Sequence, residues 1–167
     1  MKKIVTLVAF MVLANITFGQ KFAYINSQAI LGNLPEVKQA NANIETFRNQ
    51  LISLGQKKLE ALQKKYQELD QKQKKGLLSP KQLEVEAQKL KVEEEKLNKF
   101  DQESQQRIME KSEELLKPIR DKVQKAIDEV AKENGYEFIF DASMGFILYA
   151  DEKTDISDKV KAKLGIK

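Results

Sequence analysis

The sequence predicts an α+β protein: a long antiparallel coiled-coil hairpin arm of two helices, standing on a small oligomeric β-barrel body formed by short strands from each subunit. Three features carry that expectation. Apolar residues recur at steps of mostly three and four from Val37 to Val130, interrupted by the stretch Gly76-Leu77-Leu78-Ser79-Pro80. On either side, residues 22–25 and 136–151 alternate with a period of two. The flanking segments, 20–34 and 135–167, together hold about 48 residues, too few for a three-stranded sheet to cover both its faces within one chain.

The elements follow in order. The opening MKKIVTLVAFMVLANITFGQ sets Lys2 and Lys3 before an apolar run from Ile4 to Ile16 and small residues at Thr17 and Gly19, the pattern of a secretory signal over residues 1–19 cleaved after Gly19. Those thirteen residues, Ile4 to Ile16, are too few to cross a bilayer as a helix. An exported, soluble protein of a Gram-negative periplasm is expected, and without cysteine it has neither a disulfide nor a lipidated N-terminal cysteine. KFAYIN then reads as a strand ended by Asn26. Pro35 suits the first turn of a helix, where its missing N–H costs nothing. The apolar stripe continues through Ala40, Ile44, Phe47, Leu51 and Leu54, takes a step of five to Leu59 across Gly55, and goes on to Leu62, Tyr66 and Leu69. The irregular step predicts a bend or loosened packing near Gly55.

At the interruption Gly76 reads as a helix C-cap, and Ser79-Pro80 with Gln82 reads as an N-cap, a first-turn proline and a capping box. One helix ends, a tip forms near 76–80, and a second helix runs from Pro80 to Asn134. If the helices fold back there, facing residues have numbers summing near 156, which pairs Leu69 with Ala87, Tyr66 with Leu90, Leu59 with Leu97 and Phe47 with Met109. The same register sets Leu62 against Glu94, Leu54 against Gln102 and Leu51 against Gln105, a weak zone partway along an arm of ~60 Å. Pro118 is expected to disturb the second helix. Past Gly135, YEFIFD and FILYAD flank ASMG as a hairpin, and ISDKVKAKLGIK gives a short helix capped by Ser157 with Val160 and Leu164 on one face. The strand residues Phe22, Tyr24, Ile25, Phe138, Ile139, Phe140, Phe146, Ile147, Leu148 and Tyr149 lie on both faces and are the expected oligomerisation surface. Physics alone leaves the subunit number open.

Without Lys2 and Lys3 the formal charge falls from +4 to about +2, but ten lysines face five acids between Lys57 and Lys91. Such clustering attracts acidic or anionic partners. The absence of histidine, cysteine and tryptophan excludes imidazole acid–base chemistry, Cys/His metal sites and Cys-His or Ser-His-Asp nucleophiles. Glycines are at least ten residues apart, so no phosphate-cradling loop exists. No enzyme and no cofactor are expected.

The order of signal, strand, charged hairpin, LLKPIRDKVQKAIDEVAKENGYEFIFDAS and ILYADEKTDISDKVKAKL resembles the Skp family of periplasmic chaperones, also called OmpH-like outer-membrane chaperones. Its specific part is Pro118-Ile119, Ala126-Ile127, Gly135-Tyr136, Leu148-Tyr149-Ala150-Asp151 and Asp155-Ile156-Ser157. The resemblance implies a trimer with three helical arms around a cavity, an ATP-independent holdase for unfolded outer-membrane β-barrel proteins. Contact with anionic lipid or lipopolysaccharide belongs to the same resemblance, but no individual basic residue here is assigned to it. The expected client-binding residues are Leu59, Leu62, Tyr66, Leu69, Leu77, Leu78, Leu83 and Leu90, with Lys57, Lys64, Lys65, Lys72, Lys74, Lys75 and Lys81 steering acidic segments. The bland reading of each leucine is coiled-coil seam, and of each lysine a solvated face. A structural periplasmic adaptor bridging envelope components is the alternative. It needs a larger flanking β domain than the residues before the hairpin supply. Nucleic-acid binding, the other way to use clustered lysines, conflicts with export and with the lack of interleaved aromatic residues.

Overall fold

A computed structural model describes residues 20–166, and the expected signal segment lies outside them. The elements in order are β1 (Phe22–Ile25), α1 (Ser27–Asn33), α2 (Pro35–Lys74), α3 (Pro80–Asn134), β2 (Phe138–Asp141) and α4 (Ser157–Leu164), with 3-10 turns at Ala142–Met144 and Glu152–Thr154. Contacts divide them into two compact units, residues 34–121 and the remainder.

In the unit that holds residues 20–33 and 122–166, β1 and β2 pair in parallel with Phe22 opposite Phe138 and Ile25 opposite Asp141. The Ile156 N–H extends the pairing by donating to the Tyr24 carbonyl at 3.0 Å. One sheet face is interior: Ala23, Ile25, Ile30, Ile156 and Val160 are all buried. The other face carries Phe22, Phe138 and Phe140, whose rings stack at 5.6 Å and 6.4 Å yet stay half exposed.

The β-hairpin expected from YEFIFD and FILYAD is not formed. After β2 the Asp141 carboxylate accepts the Ser143 N–H and caps a 3-10 turn, and Gly145 closes it in the left-handed region at φ 73. Residues 146–150 add no strand to β2, so the sheet has two strands among the described residues, and Phe146, Leu148 and Tyr149 are more than four-fifths exposed. A period of two with apolar groups on both faces marks a segment fit for a sheet, but this chain supplies neither the partner strand nor the cover.

Helix α1 is an element the sequence reading omitted. The Asn26 side chain caps it by accepting the Ala29 N–H at 2.9 Å. Helix α4 starts one residue earlier than expected: Ser157 is its first residue rather than its cap, donates its N–H to Asp155 Oδ1 at 2.8 Å, and accepts the Asn26 N–H on its own hydroxyl at 3.1 Å. Lys163 ties α4 to the end of α3 through Glu133 and Glu129, at 2.6 Å and 3.2 Å.

In the second unit, α2 and α3 form an antiparallel helical hairpin. Pro35 occupies the first turn of α2 as expected, and Gly76 ends the helix at φ 64. The Gly76 N–H donates to the Gln73 carbonyl and the Leu77 N–H to the Lys72 carbonyl, both at 3.0 Å, which satisfies two of the last free carbonyls. Ser79 and Gln82 exchange hydrogen bonds at 2.9 Å and 3.3 Å, a complete capping box. Contacts across the hairpin join Lys65 to Glu93, Tyr66 to Glu94, Lys58 to Phe100 and Phe47 to Arg107. The numbers of each pair sum to roughly 156, so the fold-back register is the one the sequence predicts.

Details of the seam differ. Ala40, Ile44, Leu51 and Leu62 on α2, with Leu90 on α3, are buried, whereas Leu54, Leu59, Tyr66 and Met109 are exposed. Leu51 and Leu62 lie eleven residues apart, close to three whole turns, so they share a face that Leu54 and Leu59 leave. Tyr66 meets Glu94 rather than filling the seam with Leu90, its hydroxyl 3.4 Å from the carboxylate. Helix α3 continues through Pro118, which is itself exposed.

Candidate functional site

The helical hairpin presents two kinds of side chain to a partner. Of the steering lysines, Lys65 pairs with Glu93 and Lys74 with Asp70, both at 2.6 Å. Lys57, Lys64, Lys72, Lys75 and Lys81 are exposed and make no ion pair among the described residues. Apart from Lys72, whose charge acts on Glu86, these lysines have no acid at ion-pair distance among the described residues, and counterions or acidic segments compete for them.

The apolar candidates separate by depth. Leu62 and Leu90 are buried in the seam, while Leu69, Leu78 and Leu83 are half-buried. Leu59, Tyr66 and Leu77 are available to a partner, Leu77 being 65% exposed. The Tyr66 phenol is held above its ordinary pKa, first by partial burial and then by the charge and hydrogen bond of Glu94, so it stays a neutral donor. Ile52, Val85, Val92 and Met109 are further exposed apolar groups. Sequence reasoning passed over the first three because they fall off the main stripe, although Val85 and Val92 stand seven apart and so share a face of α3.

Partway along the hairpin a groove of about 510 Å³ lies between α2 and α3. Its apolar walls include Leu51, Ile52, Leu59, Leu97, Phe100 and Ile108. Gly55 lets α3 pack close on one side of the groove: a Cβ there would stand 3.4 Å from the Phe100 ring and 3.7 Å from Asp101 Oδ1, ordinary contact distances. Lys58 covers the same ring at 5.3 Å. Ser104 lines the groove, 91% buried, and its hydroxyl has no hydrogen-bond partner. The loosened packing expected near Gly55 is therefore present as a groove beside a helix that stays continuous.

The oligomerisation candidates lie in the other unit. Ile25 is sealed in the chain's own core and is not available to a neighbour. Ile139, Ile147 and Tyr24 are half-buried. Phe22, Phe138, Phe140, Phe146, Leu148 and Tyr149 are exposed, and a second cavity of about 510 Å³ opens between Phe22, Tyr24, Phe140, Phe146, Ile147 and Tyr149. Burial and then the carboxylates Asp155, Glu152 and Asp151 push the Tyr24 phenol up.

No curated protein matches the sequence significantly. Among solved structures, one similar fold is that of a candidate outer membrane chaperone (OmpH-like) from Caulobacter crescentus, with a TM-score of 0.73 and 20% identity over 87% of this chain and 84% of that one. The family model described as "Outer membrane protein (OmpH-like)" matches residues 21–164, nearly every described residue. The chain belongs to the OmpH-like family.

Proposed function

We infer that the protein is an ATP-independent periplasmic holdase chaperone, which binds unfolded outer-membrane β-barrel proteins between its helical arms and keeps them from aggregating. Family membership and the fold shared with the Caulobacter protein support a chaperone role. The observation that carries the finer reading is the surface of the hairpin, where exposed Leu59, Tyr66 and Leu77 are interspersed with lysines that have no ion pair. Unfolded barrel strands alternate apolar and polar residues, and a surface of many weak apolar and cationic contacts holds them without selecting one sequence. The exposed aromatic face of the sheet and the segment 146–150 support assembly into a closed homo-oligomer, read here as a trimer, in which strands of neighbouring subunits complete the body. The division proposed is a body of residues 20–34 and 135–167 and an arm of residues 35–134.

The test is light scattering after a urea-unfolded outer-membrane β-barrel protein is diluted into buffer without ATP. Residues 20–167, added at a stoichiometric amount, are expected to suppress the scattering. An unchanged aggregation rate would overturn the reading.

A further inference from the structure

We propose that the groove between α2 and α3 is a binding site for a single aromatic side chain of an extended polypeptide, an inference that rests on the chaperone reading above. The groove stands where an antiparallel seam normally places a large apolar knob from each helix. Here α2 offers Gly55, against which the Phe100 ring of α3 packs, and one turn further along α3 the seam holds only Ser104, while the walls around them remain apolar. The groove of about 510 Å³ is open to solvent, with Ile52 and Leu59 nearly half exposed, so its apolar walls stay hydrated until an apolar group covers them. Its volume falls in the range of small-ligand sites and is ample for one tyrosine or tryptophan side chain.

Two features favour an aromatic occupant with a polar edge over an aliphatic one. The Phe100 ring forms one wall and offers an aromatic surface for stacking. Ser104 holds a hydroxyl that has lost its water and gained nothing in return, which costs free energy until a donor or acceptor reaches it. That oxygen is sealed in the closed hairpin, so a phenol or indole edge meets it only as the two helices part slightly. Occupancy and spreading of the helices are therefore coupled. Barrel strands carry girdles of tyrosine and tryptophan, so unfolded barrel proteins present this side chain repeatedly.

The experiment uses residues 20–167 and dye-labelled 15-residue Gly/Ser/Thr peptides with one central Tyr, Phe or Ser, read by fluorescence anisotropy. In the wild type the Tyr peptide is expected to bind about tenfold tighter than the Ser peptide, with Phe between them. Gly55→Met, which fills the groove, abolishes the preference, and Ser104→Ala removes only the advantage of Tyr over Phe. A benzophenone in place of the central side chain is expected to label residues 51–59 or 97–108, a readout that needs no folded variant. A folded Gly55→Met that keeps the preference, a wild type with none, or labels spread evenly along the hairpin would each overturn the proposal. If the wild type suppresses barrel-protein aggregation but shows no aromatic preference, the groove site fails and the holdase reading stands. If it suppresses nothing, both fail.

Discussion

Gly76 and Gly32 show how one residue type has opposite value at two positions. Gly76 sits at φ 64, where an L side chain is strained, so Gly76→Ala is expected to destabilise the hairpin by about 1 kcal/mol in urea melts. Gly32 lies inside α1 with a negative φ and open space around it, so Gly32→Ala is expected to stabilise by roughly 0.5 kcal/mol. Both effects are local, and the Gly76–Gln82 caps were legible in the sequence for that reason: their donors and acceptors lie within a few residues. Asp141 was not legible. Burial alone would raise its pKa, but the Ser27 hydroxyl, the Ser143 and Ser27 amides and the Ser143 hydroxyl together lower it. Ser27 is more than a hundred residues away in sequence, beyond the reach of any motif. A lowered folded pKa means the contribution is present above the unfolded value and is lost as pH falls through the folded one. Thermal stability is therefore expected to drop below about pH 4, and Asp141→Asn to flatten that limb, as followed by circular dichroism.

For the helices, periodicity gave the arm and its register, because a stripe on one helix must meet a stripe on the other. Depth within the stripe was less accessible. The step of five at Gly55 rotates the pattern, so Leu62 is buried at 7% exposure while Leu59 is left at 44%. Leu62→Ala and Leu90→Ala are each expected to cost about 2–5 kcal/mol, and Leu59→Ala about 0.5 kcal/mol or less, measured by urea unfolding. Equal losses at Leu59 and Leu62 would contradict this seam. For the strands, the period of two identified segments suited to a sheet but could not say which would pair. β1 and β2 are adjacent in parallel although the whole hairpin lies between them in sequence, whereas 138–141 and 146–150 do not pair although a tight turn joins them. The turn chemistry of Asp141, Ser143 and Gly145 decides that outcome.

For the whole molecule, the unfinished sheet is the central fact. One face of β1 and β2 is buried by Ile30, Ile156 and Val160, and the other, with Phe146, Leu148 and Tyr149 beside it, is left to water in a single chain. An exposed aromatic face next to unpaired backbone is stable against aggregation only when something covers it. If copies of the chain provide the cover, Leu148→Asp with Tyr149→Asp dissociates the assembly, as read by sedimentation, while the helices keep their circular dichroism. A client then loses the space between arms, and aggregation suppression falls with the assembly.

Native mass spectrometry of residues 20–167, alone and after addition of one urea-unfolded outer-membrane β-barrel protein, addresses the central claim most directly. The account predicts a single closed homo-oligomer, three chains, that takes up one client without changing its subunit number. A monomer, or an assembly whose mass is the same after the client is added, would contradict it.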